Sequence, residues 1–254
     1  MVVDPLFERR HSFRRRWKHA IFLVLRVFIL PLARVLFRLK TVGTDNIPRR
    51  GGAVIVSNHI HNADPILIYI ATTRPIFFMT KADVWKYPIP RWVAAHAGAF
   101  PVRRDRVDRD AIRTAGANLA EGFLVGVFPE GTRSTTGGVI DPEPGASLIA
   151  VHNQAPVIPC AVIGASDLPF NGSKQQPRRR LYPKVSVRFG EPFRLETHTP
   201  DGGRYSRAEL TDAMMIEVVR LLPPAMRGIY AERAACSHPA VRRDGITFTG
   251  LPNA

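Results

Sequence analysis

The chain has 254 residues, 45% of them hydrophobic, which is enough for one sizeable buried core and excludes wholesale disorder. A formal net charge of +15 and an isoelectric point near 10.9 imply an acidic partner: a phosphate-bearing substrate, nucleic acid or an anionic membrane surface. Cys160 and Cys236 lie far apart and match no zinc or redox spacing, so both read as free thiols in a reducing, cytosolic setting.

The positive charge is concentrated at one end, where residues 1–50 hold twelve Lys or Arg against three acids. Ala20 to Phe37 is mostly Ile, Leu, Val, Phe and Ala but contains Arg26, Pro31 and Arg34. Each arginine at the centre of a bilayer costs ~3 kcal/mol, so a simple span is disfavoured. On a helical wheel Arg26, Arg34 and Arg38 fall within about 120° of one another. The apolar face left over is Ile21, Phe22, Leu25, Phe28, Ile29, Leu32 and Leu36, with Leu23 the exception inside the basic sector. Such a helix lies in a membrane interface, with Arg9 to Lys18 adding attraction to anionic lipid. Packing of the same helix on its own domain is the alternative. No small-residue cleavage site follows, which argues against a secretory signal peptide. Residues 1–45 are therefore expected to form a basic, amphipathic, membrane-associating segment.

Ile47 to Gly52 is rich in turn residues, and Ala53 to Ser57 is a β-branched, apolar strand that runs into Asn58-His59-Ile60-His61-Asn62-Ala63-Asp64-Pro65. His59 and Asp64 are a candidate base and its orienter. In a continuous helix a five-residue step turns about 140° and separates the two, whereas strand, turn and helix start would let them converge. Asp64 followed by Pro65 reads as a helix N-cap with proline at the first helical position. The same residues also fit a plain strand end and a capped helix.

Ile66 to Thr72 continues that helix, and Pro75 to Thr80 is a second strand leading to Lys81. Gly98 to Asp105 is a short apolar stretch that ends in Arg103 and Arg104. Ile112, Ala115 and Leu119 mark one face of a helix over 107–121 that Gly122 ends. Phe123 to Phe128 is a buried-strand run delivering Pro129-Glu130-Gly131-Thr132-Arg133-Ser134 at its carboxyl end, where ligands of open α/β sheets bind. Strands follow at Ala155 to Gly164, whose prolines suggest an edge or a strand start, and at Lys184 to Gly190, taken as the last. Gln175 to Lys184 is a basic solvated loop. A capping box at Ser206 to Glu209 opens a helix through Leu210, Met214, Val218 and Leu221, closed by Pro223 and Pro224. Alternation of strands and helices predicts a single α/β domain over 46–230, a mostly parallel central sheet covered by helices, with 231–254 a flexible tail.

Arginines at strand ends suit a dianionic phosphate, which guanidinium binds in a bidentate way. A histidine held by an aspartate suits removal of a proton from a hydroxyl, and no Gly-x-Ser-x-Gly nucleophile is present. The nucleophile is then the substrate's own hydroxyl, on a phosphate-bearing molecule at a membrane surface.

In these motifs the chain resembles the glycerolipid acyltransferases typified by 1-acylglycerol-3-phosphate acyltransferase. The likeness covers roughly residues 20–225 and four blocks: Asn58 to Asp64, Gly98 to Arg104, Phe128 to Ser134 and Val157 to Pro159. The resemblance implies that His59 is the general base and Asp64 its orienter. It places Arg104, Glu130, Gly131, Thr132 and Arg133 around the acceptor phosphate, with Arg103 and Lys81 beside them. It further implies an acyl-CoA or acyl carrier protein as co-substrate, no cofactor and no metal. The acceptor would be a lysophospholipid, 1-acylglycerol 3-phosphate giving phosphatidate, at the cytoplasmic face of the cell membrane as a peripheral or monotopic protein. Two departures stand out: His61 where the family usually has serine, and Arg103 where an acid or amide often precedes the motif arginine.

Rival readings remain open. His59, His61 and Asp64 also resemble the start of a metal-hydrolase cluster, although the further ligands of one are missing. Other acceptors, such as glycerol 3-phosphate or another lyso-lipid, fit the same motifs. Nucleic acid is disfavoured because the charge flanks an apolar helix instead of a groove-reading element or stacking aromatics.

Overall fold

The structure is a computed structural model that describes residues 20, 22–24, 26–81, 99–102, 108–143, 146–168 and 183–246, with only the backbone of Lys81. Among the described residues, seven strands form the central sheet in the order β1-β7-β6-β2-β5-β3-β4. These are β1 (Lys40–Val42), β2 (Ala53–Ser57), β3 (Ile76–Lys81), β4 (Phe100–Val102), β5 (Leu124–Val127), β6 (Val157–Ile163) and β7 (Ser186–Phe189). Every pairing is parallel except β6 with β7, so β1 and β7 run against the other five. A separate two-stranded ribbon joins β8 (Arg194–Leu195) to β9 (Val241–Arg242).

The helices are α1 (described helical residues 20, 22–24 and 26–36), α2 (Asp64–Ala71), α3 (Arg109–Ala120), α4 (Leu148–His152) and α5 (Arg207–Arg220). They cover both faces of the sheet, which is why the central strands read as unbroken apolar runs. Alternate residues of β2 feed opposite layers. Val54 and Val56 pack with Ala115 and Leu119 of α3 and Met214 and Val218 of α5, while Ala53 and Ile55 pack with Leu67 and Ile68 of α2 and Leu30 of α1. The predicted single α/β domain with a mostly parallel sheet is what the chain forms.

Several local expectations differ. Of the two readings of the prolines, an edge or a strand start, the edge does not hold, since β6 lies inside the sheet, whereas Pro156 directly precedes its first residue. Pro159 accepts a hydrogen bond from the Gly190 N–H, so its imino side also faces β7, one residue past the end of that strand at Phe189. The missing donor therefore leaves a single bond in place of two at the very end of the β6–β7 ladder. Lys40–Val42, assigned to the amino-terminal segment, is an edge strand of the sheet. The proposed tail is packed as far as residue 246: Ala240 is fully buried and β9 pairs with β8, while 247–254 fall outside the described residues.

One stripe of α1, comprising Phe22, Leu30 and Ala33, is buried in the layer it shares with α2, where the Phe22 ring meets Tyr69 edge-on at 5.2 Å. The wheel grouped Phe22 with Phe28, Leu32 and Leu36, but those three face solvent together with Leu23, Val24, Val27 and Val35. Phe28 is 72% exposed and Val35 is 70%. The helix is thus apolar on two faces, one sealed and one open. Ile21 and Leu25 fall outside the described residues. No helix among the described residues is long and apolar enough to cross a membrane.

Candidate active site

Strands β2 and β5 are neighbours and run parallel, so the loops that leave their carboxyl ends meet. The β2 loop begins at Asn58, whose side-chain amide extends the ladder beyond the strand: Nδ2 donates to the Val162 carbonyl at 3.0 Å and Oδ1 accepts from the Val162 N–H at 2.8 Å. Asn58 thereby ties the end of β2 to β6. The sequence showed the residue but not this task.

His59 and Asp64 converge, as strand, turn and helix start allow. His59 Nδ1 lies 2.9 Å from Asp64 Oδ2, and the same oxygen accepts the N–H groups of Ile60 and His61, each at 2.7 Å. Asp64 is fully buried and the His59 side chain is 17% exposed. A carboxylate only accepts, so Nδ1 carries the ring proton and the Nε2 lone pair is left available. The N-cap assignment of Asp64 does not hold: α2 starts at Asp64 with Ala63 as the cap residue and no side-chain cap bond. Its carboxylate turns back onto the loop that it closes.

His61 is buried, and its Nδ1 accepts the Ala63 N–H at 3.0 Å. A serine hydroxyl can accept from the residue two positions on in the same way, so the imidazole supplies the turn that a serine would. Burial lowers the His61 pKa and the Arg133 charge works in the same direction, against Asp64. Because Nδ1 accepts the Ala63 N–H, it carries no proton, and the lowered pKa favours the same neutral ring.

The β5 loop encloses residue 59. The Phe128 ring stacks on the His59 imidazole at 4.2 Å and 23°, and Phe78 stacks behind Phe128 at 5.6 Å. Glu130 Oε1 accepts the His59 N–H at 2.7 Å, and Ser134 N–H donates to the His59 carbonyl at 2.8 Å. Gly131 sits at φ +64°, a left-handed conformation that a side chain would strain. Its N–H is held by the Phe128 carbonyl.

The expected phosphate group is only partly visible. Arg133 is half-buried beside His61, and Thr132 is exposed. Glu130 is placed otherwise than expected, 3% exposed with both oxygens turned to backbone N–H groups, those of His59 and Ile140. Lys81 ends β3 opposite Val102 of β4, so the chain toward Arg103 leaves from beside it, but Arg103 and Arg104 lie outside the described residues.

Metal ligation by His59, His61 and Asp64 would fall to His59 Nε2 and to His61 Nε2 and Asp64 Oδ1, the last two buried without a hydrogen-bond partner. Asp64 Oδ2 is taken up by three N–H donors and His61 Nδ1 by a fourth. Among the described residues no three His, Cys, Asp or Glu side chains are arranged to hold a metal ion.

Fold and site together define an α/β protein that presents a buried Asp–His pair at the carboxyl edge of a mostly parallel sheet. The chain belongs to the acyltransferase family, whose model, described as Acyltransferase, matches residues 38–163. It is 30% identical over 184 residues to a 1-acyl-sn-glycerol-3-phosphate acyltransferase of Bacillus subtilis, covering 69% of this chain and 84% of that protein. A chloroplastic 1-acyl-sn-glycerol-3-phosphate acyltransferase of Arabidopsis thaliana is 28% identical over 68% of this chain and 47% of its own length. The chain spans about half the length of that relative and of a similar one from Brassica napus. Among solved structures, the 1-acyl-sn-glycerophosphate acyltransferase PlsC of Thermotoga maritima shares the fold, with a TM-score of 0.53 at 21% identity over 82% of this chain and 95% of that one.

Proposed function

We propose that the protein transfers a fatty acyl group from an acyl thioester, acyl-CoA or acyl carrier protein, to the free hydroxyl of 1-acylglycerol 3-phosphate, forming phosphatidate. The observation that carries this reading is a histidine whose Nδ1 is fixed by Asp64, leaving Nε2 to act, with no protein nucleophile beside it among the described residues. The Ser57 hydroxyl donates to the Asn58 carbonyl and that of Ser134 to the Gly138 carbonyl. The Cys160 thiol is fully buried, and burial pushes its pKa up, away from the reactive thiolate. The nucleophile then belongs to the substrate.

In the proposed reaction the acceptor hydroxyl oxygen bonds to the thioester carbonyl carbon while His59 Nε2 takes the hydroxyl proton. The tetrahedral adduct collapses, the carbon–sulfur bond breaks, and the leaving thiolate takes that proton back from the imidazolium. An aliphatic alcohol is too weak an acid to ionise beforehand, so proton transfer accompanies attack. Asp64 holds the tautomer and offsets the charge on the ring. Arg133, with Arg103, Arg104 and Lys81 assigned from the sequence, anchors the acceptor phosphate, and the hydroxyl is thereby brought to His59. The open apolar face of α1 seats the protein on the cytoplasmic surface of an anionic membrane, with the basic residues before it adding attraction.

The test is purified protein with labelled acyl-CoA or acyl carrier protein, vesicles and a panel of acceptors. Labelled phosphatidate formed only with 1-acylglycerol 3-phosphate, and lost in His59→Ala, is the expected outcome. Thioester cleavage that no acceptor accelerates, or full activity in His59→Ala, overturns the reading.

A further inference from the structure

The geometry points to Glu130 as a positioning residue that holds the backbone of His59, and not as a ligand of the acceptor phosphate. This rests on the reading of His59 as the base. Asp64 fixes the rotation of the imidazole, but the location of Nε2 in the site depends on where the residue 59 backbone lies. That backbone is gripped at both polar atoms by one loop, its N–H by Glu130 Oε1 at 2.7 Å and its carbonyl by the Ser134 N–H at 2.8 Å. The second oxygen of Glu130 accepts the Ile140 N–H at 3.0 Å. With both oxygens used and the side chain buried, the carboxylate presents nothing to a ligand, and its charge would repel a phosphate.

The far end of this clamp is itself held. Val139 N–H donates to the Met226 carbonyl at 3.1 Å and Ile229 N–H donates to the Val139 carbonyl at 3.3 Å. Gly228 sits between them, where a Cβ would lie 2.0 Å from the Val139 carbonyl oxygen. His59 is thus connected through Glu130 to the carboxyl-terminal turn at Met226 to Ile229, a segment the motifs do not include. Loss of water pushes the Glu130 pKa up to about 7, against the two backbone hydrogen bonds and with the help of the Asp64 charge. Protonation makes one of the two oxygens a donor and a poorer acceptor, so the ionised carboxyl serves the two N–H donors better.

Glu130→Gln keeps the size of the side chain but turns an NH2 toward one of the two backbone N–H groups. Assayed at pH 8 with acyl-CoA saturating and 1-acylglycerol 3-phosphate varied, the variant is expected to lose 10- to 100-fold in kcat with an acceptor KM within threefold of the wild type. An acceptor KM raised tenfold with kcat retained, or no change in either constant, overturns the inference. A measurement on the wild type alone guards against a variant that does not fold. In protein labelled with 15N at histidine and isoleucine, the His59 and Ile140 amide protons should keep their hydrogen-bonded, low-field shifts when the acceptor saturates the site. Loss of both low-field shifts on acceptor binding would show the carboxylate leaving for the ligand, and would overturn it. The two readings fail separately: activity in His59→Ala removes the base, whereas an inactive His59→Ala with a KM effect in Glu130→Gln removes only the clamp.

Discussion

Asp64 Oδ2 takes three hydrogen bonds from three successive residues, and that concentration makes the site rigid. In Asp64→Asn the amide oxygen can still accept, but the charge that favours the protonated imidazole is gone. We expect kcat to fall by about 10²-fold or more, as for other oriented histidines. A loss under threefold in steady-state assays would remove the pair from the chemistry. His61 allows the opposite prediction. Because its Nδ1 only accepts the Ala63 N–H, a serine oxygen can replace it, and His61→Ser should keep activity within severalfold while losing about 1–3 kcal/mol of stability to the space vacated. Urea unfolding and kcat measured on one preparation check both halves. The His–Asp pairing was readable from a strand running into a turn, but the partners of Glu130 were not. His59 and Ile140 lie 71 and 10 residues away along the chain, and a backbone N–H leaves no mark in a side-chain pattern.

Helix α1 shows how two apolar faces separate when structure divides them. Its composition gave one broad stripe, whereas packing buries Phe22, Leu30 and Ala33 and leaves Val27, Phe28, Leu32 and Val35 open. The two sets should respond differently to mutation. Val27→Glu with Val35→Glu touches exposed positions, so thermal stability should move by less than about 0.5 kcal/mol while flotation with anionic vesicles is lost. Leu30→Ala should cost about 2–5 kcal/mol and leave flotation intact in the folded fraction. Vesicle binding retained by the double glutamate variant would reject the docking face. Long elements with a clear period, such as the helix opened by the Ser206–Glu209 capping box, were legible in the sequence because local rules and packing agree. β1 and β9, with three and two residues, are too short to show a period, and their place depends on partners distant in sequence.

At the scale of the whole molecule, the buried carboxyl of Glu130 couples stability to pH. Its pKa is raised from 4.5 to about 7, so the folded protein holds the proton more tightly than the unfolded chain does. Its stabilising contribution is fully present below about pH 4.5 and is lost as pH rises toward 7, on the order of 3 kcal/mol in all. Glu130→Gln lacks this term. Its stability relative to the wild type should therefore improve between pH 5 and pH 8, as read by urea unfolding of both proteins, and a constant difference would refute the linkage. The ionised clamp would then be needed for catalysis while weakening the fold, a trade common at functional sites. The parallel sheet and the position of its loops were legible, since alternating strands and helices allow few other arrangements. Sheet order was not, because β7 and β1 join by contacts that no local pattern announces. The shared layer of α1 and α2 has a further result. Phe22 of α1 rests on Tyr69 of α2, and α2 begins at Asp64. A protein seated on lipid through the open face of α1 would hold its site at a fixed height, so substrate would arrive by lateral diffusion within the sheet of lipid. Turnover would then follow the surface mole fraction of acceptor, and diluting the vesicles with inert lipid would slow it at constant bulk concentration.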